Sequence, residues 1–319
     1  MWPVLYQAPP PSQFAANTYG LLILTAFVLA FGLALSRSRR IGVTLERMIP
    51  VYAAAAAGGL LGARVLYGLA VDLPTALQGG QVSACSGLAF YGGLAGGGLA
   101  VIFVARLTDL PGWKLLDALA PALVLGLGVG RMGCFFAGCC HGAPVELADP
   151  TALLPDGALK GQIWVSGSFP FLATEFHPGG VSRILFEPLY PTQLWSMAAG
   201  LGLAGVLTAL WPLRRFDGQI AGLMLLIEPV LRFVIEIFRA DHRGYLFSFL
   251  VSEETAAWLP GLGSAGEDLV GTSEGLVQVG LTTSQGFGLA MMILGAAILI
   301  LRRGAGVEPE VALVDEDLA

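Results

Sequence analysis

The chain has 319 residues, of which 55% are hydrophobic and only 13% charged, with a mean hydropathy of +0.73 and a formal net charge of −6. Soluble domains carry roughly 25% charged residues, so this composition excludes an ordinary soluble domain. The acidic balance also argues against a nucleic-acid partner, because such binding rests on clustered Lys and Arg. The class that remains is an all-α integral membrane protein, folded as one domain over 1–319.

Runs of about 20 apolar residues, the length that crosses a bilayer, give seven candidate spans at 18–35, 49–70, 87–105, 117–138, 191–212, 219–238 and 285–301. The expected architecture is a seven-transmembrane helix bundle with a small extracytoplasmic head. The stretch 1–13 has no basic start and contains Pro9, Pro10 and Pro11, so no cleaved signal peptide is expected. Small residues recur at Gly58, Gly59 and Gly62 and again at Gly92, Gly93, Gly96, Gly97 and Gly98, a spacing that lets membrane helices approach closely.

Arg37, Arg39, Arg40, Arg47, Arg106, Lys114, Arg214, Arg215, Arg302 and Arg303 all fall on one side of this arrangement. The positive-inside rule makes that side cytoplasmic, which puts the N-terminus outside and the C-terminus inside. Two outer segments, 139–190 and 240–284, are long for loops and rich in aromatic residues, and we expect them to build the head from turns and short strands. The acidic end, 304–319, reads as a flexible cytoplasmic tail.

Three arginines, Arg64, Arg131 and Arg232, lie within apolar stretches. A charge at membrane depth costs about 2.5–3.5 kcal/mol on insertion scales, so each needs a partner or a task. Arg131 sits in the glycine-rich run Gly126-Leu-Gly-Val-Gly-Arg131-Met-Gly133-Cys134. Exposed backbone N–H groups beside a forked guanidinium suit a phosphate. The plainer alternative is that Arg131 only locks helices together, by pairing with Asp117, Glu236 or a helix-end carbonyl. In the sixth span Glu228, Arg232, Glu236 and Arg239 follow one another at i, i+4, i+8 and i+11. That spacing places them on one helix face, which must look onto protein or a polar cavity.

Further residues complete a pattern that runs collinearly from first span to last. They are Tyr19-Gly20; Gly62-Ala63-Arg64 with Tyr67; Phe90-Tyr91-Gly92-Gly93; Asp117 with Pro121; Gly130-Arg131-Met132-Gly133; Pro191-Thr192-Gln193-Leu194; Arg232-Phe233 with Glu236 and Arg239; and Ser284-Gln285. The pattern resembles the prolipoprotein diacylglyceryl transferases, enzymes of the bacterial cytoplasmic membrane. The resemblance implies transfer of diacylglyceryl from phosphatidylglycerol to the lipobox cysteine of a prolipoprotein signal peptide. It also implies headgroup contacts at Arg131 and Arg232, with Glu236 and Arg239 at further matching positions of the same cavity. The substrate site expected from all these residues is Arg131, Arg232, Arg239, Tyr19, Gly133 and Gln193, and the expected catalytic group is Arg131, Arg232, Tyr91 and Glu236. No metal and no other cofactor is assigned to the site.

Several positions depart from the family pattern. Tyr91 stands where a histidine is usual, Cys134 replaces an asparagine, Cys139 a glutamate, Glu228 a tyrosine and Tyr190 a histidine. The general base is left between Tyr91, a weak base at an ordinary pKa near 10, and Glu236; a thiol that ionises by a few per cent at neutral pH also needs little help. Cys134, Cys139, Cys140 and His141 admit four readings: a disulfide, with Cys85 as a further partner; a soft-metal site, although adjacent cysteines rarely both reach one ion; a nucleophilic Cys139 or Cys140 that accepts lipid transiently; or, for Cys134, a small buried side chain. His177 reads as a loop residue, and His242 stands at the mouth of the expected cavity. Other functions compatible with the chain are a phospholipid-dependent transferase with a different acceptor, and a non-catalytic lipid-binding or metal-handling membrane protein.

Overall fold

The computed structural model describes residues 4–7, 15–77, 79, 89–137, 139–142, 164–166, 173–175, 190–239, 245–252 and 276–306. Its long helices are α1 (Thr18–Arg40), α2 (Leu45–Tyr67), α4 (Phe90–Leu107), α5 (Gly112–Ala137), α6 (Thr192–Leu210), α7 (Gln219–Glu236) and α8 (Thr283–Leu301). A π-turn, Gly68–Asp72, and the short α3 (Leu73–Leu77) continue α2. These seven long helices match the seven candidate spans. Six are apolar enough to cross a membrane; α7 is long enough but carries Glu228, Arg232 and Glu236 in its 18 residues.

Short antiparallel ribbons pair β1 (Val4–Gln7) with β2 (Ala15–Asn17), β3 (Trp164–Ser166) with β4 (Ala173–Glu175), and β5 (Tyr245–Ser252) with β6 (Leu276–Thr282). The last two lie in the segments expected to form a head; most other residues of those segments, with His177 and His242, are outside the described residues. Six spans leave large apolar side chains exposed, such as Leu24, Leu61 and Leu99, as lipid-facing helices do. α5 is the most enclosed, with 44% of its apolar window buried against 6–22% in the other five.

Two compact units can be distinguished. One comprises Met1–Leu29, Val124–Ala204 and Ile227–Ala290; the other comprises Ala30–Leu123, Gly205–Leu226 and Met291–Ala319. In the second unit α2 and α4 meet along their glycines. A methyl group added at Gly58 would stand 2.8 Å from the Gly96 carbonyl oxygen, and one at Gly62 would land on the Gly92 carbonyl. Only hydrogen side chains permit that approach, as their spacing suggests.

Asp117 has a separate task in this unit. Its carboxylate accepts hydrogen bonds from the Gly218 and Ala221 N–H groups, each at 2.8 Å, and is fully buried. It therefore satisfies backbone donors that the start of α7 would otherwise leave unpaired. Nearby, Trp211 is flanked by Arg37 at 5.4 Å and Arg214 at 4.2 Å from its ring centre.

Arg64 is satisfied locally. Its Nη1 is 2.6 Å from Asp72 Oδ2, and its guanidinium lies 5.9 Å from the centre of the Tyr67 ring. The π-turn carries the helix on to this acid, beyond the expected end of the second span. The partner that a charge at membrane depth calls for is thus, for Arg64, an ion pair with Asp72.

In the first unit the start of α8 is closed reciprocally. Thr282 N–H donates to Gln285 Oε1 at 3.0 Å, and Gln285 N–H donates to Thr282 Oγ1 at 3.1 Å. This is a capping box, and it gives Gln285 a structural reason to be present.

Candidate functional site

The site lies in the first unit and is built from three helices. α5 supplies Val124, Leu127 and Arg131. α6 supplies Ser196, Ala199, Gly200 and Leu203, and α7 supplies Glu228, Leu231, Arg232, Ile235 and Glu236, followed by Arg239 just past its end. Together they line a partly open cavity of about 60 Å³. Since a single water needs about 10–15 Å³ on this measure, the cavity has room for a small oxyanion. α5 and α6 come together at Gly128 and Gly200, where a methyl on Gly128 would sit 3.0 Å from Leu201 N.

The walls are apolar and the charges are few and paired at long range. Arg232 Nη1 is 4.0 Å from Glu228 Oε1, and Arg239 Nε is 4.0 Å from Glu236 Oε2. At that separation each carboxylate faces a guanidinium as an ion pair. Glu228 also feels Arg131. Among the described residues its Oε2 is buried and accepts no hydrogen bond. The helix-lock alternative for Arg131 fails on its first partner, because both Asp117 oxygens are engaged by the start of α7. Glu236 stands against Arg239.

The segment after α5 borders this cavity. Cys139 N–H donates to the Cys134 carbonyl at 3.1 Å, closing the helix end. Gln193 Nε2 then donates to the Cys139 carbonyl at 2.9 Å, and Thr192 Oγ1 to the Cys140 carbonyl at 3.0 Å. Gly142 bridges to Arg239 and donates to the Tyr190 carbonyl at 2.9 Å. A side chain at Gly142 would meet Phe238 O at 2.6 Å and Tyr190 O at 2.7 Å. Tyr190, Trp195 and Phe238 pack their rings together at centroid distances of 5.2–5.8 Å.

Cys134, Cys139 and Cys140 are free thiols, so the disulfide reading finds no bond among them; Cys85 is outside the described residues. Hydrogen bonding from the Cys134 and Cys139 thiols, with the Arg239 guanidinium beside it, holds the Cys140 thiol well below its ordinary range. The same network pushes the Cys139 thiol up.

Of the residues singled out from sequence, Arg131, Arg232, Glu236 and Arg239 meet in the cavity lining. Gly133 is buried against the Tyr19 ring, 3.2 Å from where its own side chain would begin. Tyr19 in turn lies within electrostatic reach of Arg131 and the three cysteines. Gln193 is 1% exposed and holds the Cys139 carbonyl. Tyr91 is buried in the second unit, its ring 5.1 Å from that of Phe90. Glu228, read from sequence as part of the charged stripe, proves to line the cavity beside Arg232.

Residues 3–301 match the family model described as prolipoprotein diacylglyceryl transferase. The chain belongs to this family. Among its relatives, a phosphatidylglycerol–prolipoprotein diacylglyceryl transferase of Salmonella choleraesuis is 32% identical over 246 residues, covering 74% of this chain and 80% of its own. The enzyme of the same name from Cronobacter sakazakii is 31% identical over 243 residues, with the same coverage. That of Clostridium tetani is 29% identical over 230 residues, 71% of this chain and 82% of its own. Within the family frame, the glycine-flanked Arg131 and the α7 arginine stand on one cavity.

Proposed function

We propose that the chain transfers the diacylglyceryl group of phosphatidylglycerol to the lipobox cysteine of a prolipoprotein, in the bacterial cytoplasmic membrane. Its N-terminus is outside and its C-terminus cytoplasmic, as the ten clustered basic residues require. The observation that carries the reading is the meeting of Arg131, Arg232 and Arg239 on one cavity, in a chain with six helices apolar enough to cross a membrane.

The chemistry is a substitution at carbon. The cysteine thiolate attacks the diacylglycerol C3; the S–C bond forms, the C–O bond to phosphate breaks, and glycerol phosphate leaves with the electron pair. Negative charge grows on the phosphate, and fixed guanidiniums in a poorly hydrated cavity stabilise it without reorganising. Arg131 and Arg232 form this clamp and Arg239 extends it. Tyr19, Gly133 and Gln193 complete the substrate site, Gln193 by fixing the Cys139 carbonyl. The acceptor's thiol proton passes to Glu236, which lines the cavity, with Tyr91 the competing acceptor. The unsatisfied Glu228 Oε2 is placed to take a hydrogen bond from a glycerol hydroxyl of the headgroup.

The test is transfer from phosphatidylglycerol, labelled in its diacylglycerol, to a lipobox peptide by the purified full chain. The expected products are a thioether-linked peptide and one glycerol phosphate per turnover. Folded protein that binds the lipid and leaves it intact would reduce the chain to a lipid-binding member of the family.

A further inference from the structure

The three sulfur atoms of Cys134, Cys139 and Cys140 lie within 4.8 Å of one another. Sulfurs sharing one ion at about 2.3 Å each stand somewhat closer than this limit, so small side-chain rotations suffice to bring all three onto one ion. Adjacent cysteines ordinarily diverge, and here the backbone resolves the difficulty. Cys140 adopts φ +60°, a left-handed conformation that is uncommon and costly for a residue with a side chain. Gln193 and Thr192 hold the two flanking carbonyls of that turn. The turn is therefore strapped to the buried side chains of Thr192 and Gln193, and it brings the Cys140 sulfur to the other two.

We propose that Cys134, Cys139 and Cys140 form a trigonal thiolate site for a soft monovalent cation, copper(I). Thiolates select copper(I), zinc and iron–sulfur clusters. A structural zinc demands four protein ligands, and the grouping among the described residues supplies three, all sulfur. Three thiolates and one copper(I) leave two negative charges. Arg239 lies beside Cys140 and Arg131 within electrostatic reach of Cys134, so two guanidiniums face that excess. Binding releases the thiol protons and involves no oxidation or reduction. The site stands on the geometry of the three sulfurs and their turn and is independent of the transferase reading. Because Arg131 and Arg239 also line the cavity, an ion here would be felt there.

The test uses the full chain in detergent, reduced with a phosphine, stripped with chelator under anaerobic conditions and titrated with copper(I) against bathocuproine disulfonate. One equivalent of copper per chain should be withheld from the competitor, and X-ray absorption should report copper(I) bound by sulfur only. Cys139→Ser and Cys140→Ser should each weaken retention by at least about tenfold, the scale of effect at disturbed metal shells. Cys85→Ser should match the parent, and parallel melting curves confirm that each variant is folded. Copper lost wholly to the competitor, unchanged retention in folded Cys140→Ser, loss in Cys85→Ser, or zinc held in preference to copper would each overturn the proposal.

Discussion

Two helix seams of this molecule solve the same problem in opposite ways. Between α2 and α4 there is almost no side chain: Gly58 and Gly62 face Gly92 and Gly96 so closely that a methyl group has no place. Shape and dispersion suffice to hold that contact. Around the cavity of α5, α6 and α7, three arginines and two glutamates occupy a wall that could have been apolar. Each such charge costs free energy in a membrane segment unless it is paired, and here Arg232 stands 4.0 Å from Glu228 and Arg239 4.0 Å from Glu236. A seam held by packing alone is structural, whereas one that gathers five charged side chains around a cavity offers a ligand something to bind.

The contrast is sharpest when each seam is broken separately. Arg131→Ala and Arg232→Ala should each lower transfer by about 10²–10³-fold, the scale for removing one preorganised group from a developing charge. Their melting temperatures should stay close to the parent's. In the other seam, Gly62→Val forces a branched side chain onto the Gly92 carbonyl and should destabilise by about 1–3 kcal/mol or more. Thermal unfolding would register that loss, while activity per folded molecule is retained.

Asp117→Ala orphans two buried N–H groups at the start of α7, at about 1–3 kcal/mol each. The melting temperature should fall and the phosphatidylglycerol KM should not change in the folded fraction. The smallest effect is expected from Tyr91→Phe. Transfer within about threefold of the parent, less than 1 kcal/mol of barrier, would leave the proton with Glu236. A loss equal to that of Glu236→Gln would put the tyrosine in its path.

The spans were legible because an apolar run of bilayer length is seldom anything but a membrane helix, and α7 was legible despite its charges because they share one helical face. The partner of Arg64 was hidden by the π-turn, which extends a helix past the apparent end of its apolar run to Asp72. At α8 the signal was present as Thr282 and Gln285, three residues apart, and its physical meaning is the capping box. The cysteines were legible as a candidate soft-metal set, whereas the geometry of their grouping was not. It depends on a left-handed residue and on two straps from residues more than fifty positions away, and no local pattern encodes either.

The most direct measurement of the central claim is the affinity of the purified parent, Arg131→Ala and Arg232→Ala proteins for phosphatidylglycerol, read beside their melting curves. Both variants are expected to keep the parent's melting temperature and to lose lipid affinity and transfer together. Variants that bind and transfer as the parent does would mean that the cavity arginines serve the bundle and that the phosphate is held elsewhere.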